Sequence, residues 1–107
     1  MPQILYTVRT TCPSVQVRGR YLSWLVPDHV LAVKAGGATG VRVVLIDLPD
    51  PAGAAALEVQ YAFPSRRAFE NYVREHAPAL RADVLKHFPP ESGVRSERQV
   101  AEIAAEL

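Results

Sequence analysis

A chain of 107 residues, 49 % hydrophobic and 21 % charged, has the size and composition of one globular domain (residues 1–107), able to bury roughly two-thirds of its unfolded surface; disorder does not fit. With 12 basic and 11 acidic residues, a net charge of +1, it calls for no nucleic acid, anionic membrane or acidic substrate as the main partner. The single cysteine, Cys12, excludes an internal disulfide and a cysteine-based zinc site and fits a reducing, cytoplasmic setting; the N-terminus lacks a signal-peptide layout, and no apolar run approaches the roughly 20 residues of a membrane helix.

The run from Ile4 to Thr10 is β-branched and aromatic and reads as a first strand, followed by a turn over Thr11-Cys12-Pro13-Ser14. Ser14 can cap a helix that runs to about Ala35 and stops at Gly36-Gly37, with a kink expected just before Asp28-His29 because Pro27 removes a backbone hydrogen bond. Gly40 to Leu48 reads as the second strand, residues 49–53 as a loop, and Ala55 to Phe63 as the third strand, with Leu57, Val59, Tyr61 and Phe63 on one side. Ser65 opens a second helix, which Pro78 should interrupt near His76-Ala77 before it continues to Phe88. In the tail, Val94 to Val100 alternates weakly and fits a fourth strand, and residues 102–107 read as helical or frayed.

This order, strand–helix–strand–strand–helix–strand, predicts an α+β, ferredoxin-like sheet of four antiparallel strands with two helices on one face. The second strand is apolar on both faces. Burying its outward aliphatics is worth about 1.5–3 kcal/mol each, which favours a second copy of the chain packed on that face. Alternatively, Val and Ile serve only strand propensity there.

The strand Ile4-Leu5-Tyr6-Thr7-Val8, the run Trp24-Leu25-Val26-Pro27-Asp28-His29, the segment Val59-Gln60-Tyr61 and the run from Tyr72 to Arg81 carry a resemblance over nearly the whole chain. The sequence resembles a family of small bacterial proteins known as domain of unknown function 4286, most specifically in its His-Ala-Pro-x-Leu-Arg string. Pro27 departs from the pattern by preceding His29 rather than following it. The family is similar in turn to the dimeric α+β barrels, which pair two ferredoxin-like sheets. That group includes cofactor-free monooxygenases, muconolactone-type isomerases, haem-degrading enzymes and plain binding proteins. The resemblance therefore implies a fold and a dimer and transfers no reaction.

Each helix carries an aromatic residue close before a histidine. Trp24 and Asp28, four apart, share a helix face, with His29 one position on. They form either a pocket wall, with the indole stacking on a flat ligand and Asp28 or His29 as base, or a core tryptophan beside a solvated kink. Tyr72 and His76 are also four apart; His76 either satisfies a carbonyl freed by Pro78 or turns a ring nitrogen to a ligand. Arg81 either binds a ligand anion or pairs with Glu75 or another surface acid. With Tyr61 these make the candidate ligand-binding set: Trp24, Asp28, His29, Tyr61, Tyr72, His76 and Arg81.

No His-x-x-x-His or His-Glu-x-x-His spacing occurs, and no metal or other cofactor is expected; none of the three histidines stands out as a haem ligand. Cys12 before a helix start would favour a thiolate, against the simpler reading of a loop cysteine without function. Tyr6, Tyr61 and Phe63 suggest the aromatic platform of an RNA-binding sheet, but Leu57-Glu58-Val59-Gln60 is neither basic nor glycine-rich. Residues 15–20 lack the second glycine of a phosphate cradle. The leading expectation is a homodimeric small-molecule binding protein with a pocket between helices and sheet. A cofactor-independent monooxygenase or isomerase, with His29 or His76 as base, comes next. A structural homodimer without ligand is third.

Overall fold

The computed structural model describes residues 2–47 and 53–107. Its elements are β1 (Ile4–Cys12), α1 (Val15–Trp24), α2 (Val30–Ala35), β2 (Gly40–Ile46), β3 (Ala55–Phe63), α3 (Arg66–Glu75), α4 (Ala77–His87) and β4 (Arg95–Glu102). The strands form one antiparallel sheet in the order β2-β3-β1-β4, the ferredoxin-like arrangement that the sequence predicts. Leu48 and the expected loop residues Pro49, Asp50, Pro51 and Ala52 lie outside the described residues.

Because facing residues of an antiparallel pair share a side, the registers sort the sheet into two faces. Ile4, Tyr6, Thr10 and Cys12 of β1 and Leu57, Val59, Tyr61 and Phe63 of β3 turn to the helices and are buried. The helices close this core with Tyr21 of α1, Leu25, Val33 of α2, Phe69 and Tyr72 of α3, and Ala77 of α4. The opposite face is open and mixed. It carries Leu5, Thr7 and Arg9 of β1, Arg42, Val44 and Ile46 of β2, and Glu58 and Gln60 of β3. Arg9 pairs with Glu58 at 3.6 Å and Arg42 donates to Gln60 at 3.1 Å. On β2, Val41 and Val43 reach the core, but Leu45 on the same side is 55 % exposed, so the helices do not cover this edge fully.

Ser14 and Ser65 cap α1 and α3 as expected, each side-chain oxygen accepting from a backbone N–H three residues on at 3.1 Å. The kink expected just before Asp28-His29 is present, as a break that divides the expected helix into α1 and α2. The chain leaves helical geometry at Val26 (φ −107°, ψ 122°), before a cis Val26–Pro27 bond, and resumes through a π-type turn over Leu25–His29 in which the Val30 N–H reaches the Leu25 carbonyl. The residue preceding a proline is pushed towards extended geometry, and one extended residue resets the phase of everything after it. The shared face of Trp24 and Asp28 is thereby lost.

At the other end of α2, Gly37 takes φ +125°, the positive value expected there. Gly36 is required for a different reason: a Cβ on it would lie 3.0 Å from Tyr72 Cδ1 and 3.1 Å from His76 Cγ. The second helix breaks at His76 as expected, with Pro78 in the first turn of α4, where a missing N–H does no harm.

Two strand ends differ from expectation. Thr11 and Cys12 extend β1 instead of turning, because Ala56 and Ala55 of β3 pair with them. β4 runs on to Glu102 opposite Ile4, and residues 103–107 form no helix; the Ile103 N–H instead donates to the Gln3 carbonyl at 2.9 Å.

Candidate functional site

All four tyrosines of the chain, Tyr6, Tyr21, Tyr61 and Tyr72, line one cavity between the helices and the inner face of the sheet. Tyr6 and Tyr61 oppose each other across the β1–β3 ladder, so both rise from one face, with ring centroids 5.9 Å apart. Tyr72 descends from α3 to 6.1 Å from Tyr6, and Tyr21 enters from α1.

Burial governs the acidity of these phenols. It pushes Tyr61 up, and the neighbouring hydroxyls of Tyr72, Tyr21 and Tyr6 add to the rise. Tyr72 is pushed up to about 12 by burial and then by Tyr6, against the opposing guanidinium groups of Arg81 and Arg98. Tyr21 is also raised by burial, although hydrogen bonding to Thr10 and Ser96 and the charge of Arg98 work the other way. Thr10 and Ser96 are themselves bonded, Oγ1 to Oγ, at 2.9 Å. Tyr21, Tyr61 and Tyr72 therefore stay protonated at neutral pH and can donate as well as accept.

His29 faces the same cavity. Its Nδ1 is buried and has no hydrogen-bond partner among the described residues. Burial lowers its pKa, offset in part by the charge of Asp83, so the imidazole is neutral at pH 7. A buried polar atom without a partner is uncommon in a folded protein.

The cavity measures about 30 Å³, room for one or two water-sized groups. A second hollow of about 280 Å³ lies between α4 and β4 and shares Arg81, Val84, Ser96 and Arg98 with the first. Leu85, Phe88 and Val94 complete its apolar wall.

Of the seven candidates from the sequence, His29, Tyr61, Tyr72 and Arg81 converge on the cavity, and Trp24, Asp28 and His76 do not line it. The Trp24 ring lies behind His29, between it at 4.7 Å and His87 at 5.4 Å. Asp28 is exposed beyond the break in the helix. His76 is exposed on the outer side of Tyr72, the two rings stacked at 6.4 Å, and rests on Gly36. Tyr6, Tyr21, Ser96 and Arg98 also line the cavity, and sequence reasoning did not assign them there. The two-residue alternation of Ser96, Arg98 and Val100 was the available signal for the last pair.

Tyr6, Tyr61 and Phe63 are buried beneath the helices, not displayed on the open face as an RNA platform requires. Residues 15–20 are helical. Cys12 is a buried strand residue, not a loop residue, and burial raises its pKa against the opposing charge of Arg18, so no thiolate is favoured there. Among the described residues no three His, Cys, Asp or Glu side chains are grouped to hold a metal, and no helix is long and apolar enough to cross a membrane.

Solved structures similar to this chain share its fold. A dimeric ferredoxin-like protein from an uncultured marine organism superposes with a TM-score of 0.73 at 11 % identity, over 98 % of this chain and 97 % of that one. A second protein of the same description matches with a TM-score of 0.67 at 11 % identity over all of both chains. SnoaB, a cofactor-independent oxygenase from Streptomyces nogalater, matches with a TM-score of 0.60 at 12 % identity, over 100 % of this chain and 98 % of that one. No curated protein matches the sequence. A family model does match it, over residues 3–99, and the chain belongs to that family, described as Domain of unknown function (DUF4286).

Proposed function

We propose that this chain is a single-domain, homodimeric, cytoplasmic protein that binds a small organic molecule in the cavity between its helices and sheet. The observation that carries the reading is the convergence on one space of four tyrosines and of His29, whose buried Nδ1 has no partner among the described residues. Purely structural cores satisfy or avoid such groups. Pairing through the open sheet face is supported by Leu5, Val44 and Ile46 on it, and by fold neighbours that are described as dimeric.

Two measurements test this. Light scattering should give twice the mass of one chain; a monomer would contradict the pairing. A ligand-observed NMR fragment screen should yield binders that are lost in Val84→Trp, which fills the space shared by the two chambers, while circular dichroism stays unchanged. Binders that persist in Val84→Trp lie elsewhere and remove the cavity from the proposal.

One observation favours a second reading, a cofactor-independent enzyme on the same scaffold. His29 is held neutral by burial, the state a general base requires, and its Nδ1 has no partner among the described residues. SnoaB, on this fold, is described as a cofactor-independent oxygenase. Under this reading a bound substrate is turned over by the native protein and not by His29→Phe, which keeps the ring packing but removes both nitrogens.

A further inference from the structure

We infer that the ligand is a small amphipathic carboxylate, held with its anionic head at Arg81 and Arg98 and its apolar body in the hollow between α4 and β4. This rests on the pocket reading above and narrows it to a ligand class.

The first support is charge. The residues lining the two chambers include Arg81, Arg98 and His29 and not one aspartate or glutamate. Among the described residues neither arginine takes part in an ion pair. Both guanidinium groups act on the Tyr72 hydroxyl, so both charges are felt at the same point of the cavity. Two unpaired guanidinium groups beside a sheltered space match the planar, two-oxygen head of a carboxylate.

The second support is the donor set behind them. Tyr61 and Tyr72 keep their protons and can donate. An anion oxygen entering the inner chamber therefore meets hydrogen-bond donors and no carboxylate in the lining, the nearest acidic charge felt there being that of Asp83 behind His29.

The third support is size. An inner space of about 30 Å³ admits oxygen atoms but not a ring. The outer hollow of about 280 Å³ approaches the lower end of small-molecule sites, roughly 300 Å³. Its walls include Phe88, Val94 and a Leu85 that is 58 % exposed. An inorganic anion leaves those walls uncovered, and a neutral apolar molecule leaves the arginines unpaired; a carboxylate carrying a ring or short chain meets both.

The test uses two isosteric probes, 2-naphthoate and 2-naphthamide, titrated into the full chain by calorimetry in low-salt buffer. The expected result is at least tenfold tighter binding of the naphthoate. In the double variant Arg81→Gln/Arg98→Gln, both exposed positions, the two probes should bind alike, with the thermal midpoint checked to show that the fold is kept. Equal binding of both probes by the native protein, or a preference for the amide, overturns the carboxylate assignment and leaves the pocket standing. A naphthoate preference that survives in the double variant locates the anion elsewhere and overturns the assignment too. Failure of both probes to bind at millimolar concentration counts against the pocket itself, and so against both readings.

Discussion

His29 lines the cavity, has a buried Nδ1 without a partner among the described residues, and packs its ring on Trp24 at 4.7 Å. Its pKa is lowered from the ordinary value of 6.5, chiefly by burial. Between the lowered value and 6.5 the unfolded chain binds more protons at this site than the folded one, so stability rises with pH there. The contribution is complete above 6.5 and is lost as pH falls towards the folded-state value. Urea midpoints measured from pH 8 to pH 5 should therefore fall more steeply in the native protein than in His29→Phe; parallel curves would show that His29 is not held neutral by burial. At the same scale, Leu57 is 0 % exposed in the middle of β3, and Leu57→Ala should cost about 2–5 kcal/mol by chemical denaturation. A cost below about 1 kcal/mol would mean that the core around β3 collapses onto the gap.

At the level of elements, the close approach of α2 to α3 depends on Gly36. A methyl group there meets the Tyr72 ring at 3.0 Å, and that ring lines the cavity, so Gly36→Ala should destabilise by about 1–3 kcal/mol and disturb Tyr72 together. The paired readout is a denaturation curve and the Tyr72 ring resonances; destabilisation with unmoved resonances would separate the helix contact from the pocket. Ser65→Ala, removing the cap of α3, should cost about 0.5–2 kcal/mol while leaving the cavity residues in place.

What was legible in the sequence was local. Ser14 and Ser65 announce helix starts through their own side-chain chemistry, and Leu57, Val59, Tyr61 and Phe63 announce a buried face by alternation. The break near His76 follows from Pro78. The misplacements were of phase and of distance. One extended residue at Val26 removes Asp28 from the face of Trp24 and puts His29 against the indole instead. Arg98 and Ser96 reach the cavity because β4 pairs with β1, a contact made across some ninety positions of chain that no short window contains. Tyr21 faces Ser96 for the same reason.

For the whole molecule, a sheet covered on one side and open on the other raises two linked questions: what packs on the open face and what fills the cavity. The open face carries Arg9–Glu58 and Arg42–Gln60 contacts beside Leu5, Val44 and Ile46, a mixture suited to a specific partner surface rather than to indiscriminate association. The measurement that reaches the central claim most directly is a native mass spectrum of the protein purified from its own host. The expected spectrum is that of a dimer retaining one small acidic organic molecule per subunit, lost on mild activation. A dimer that carries no adduct in repeated preparations, and that binds neither naphthalene probe, would contradict it.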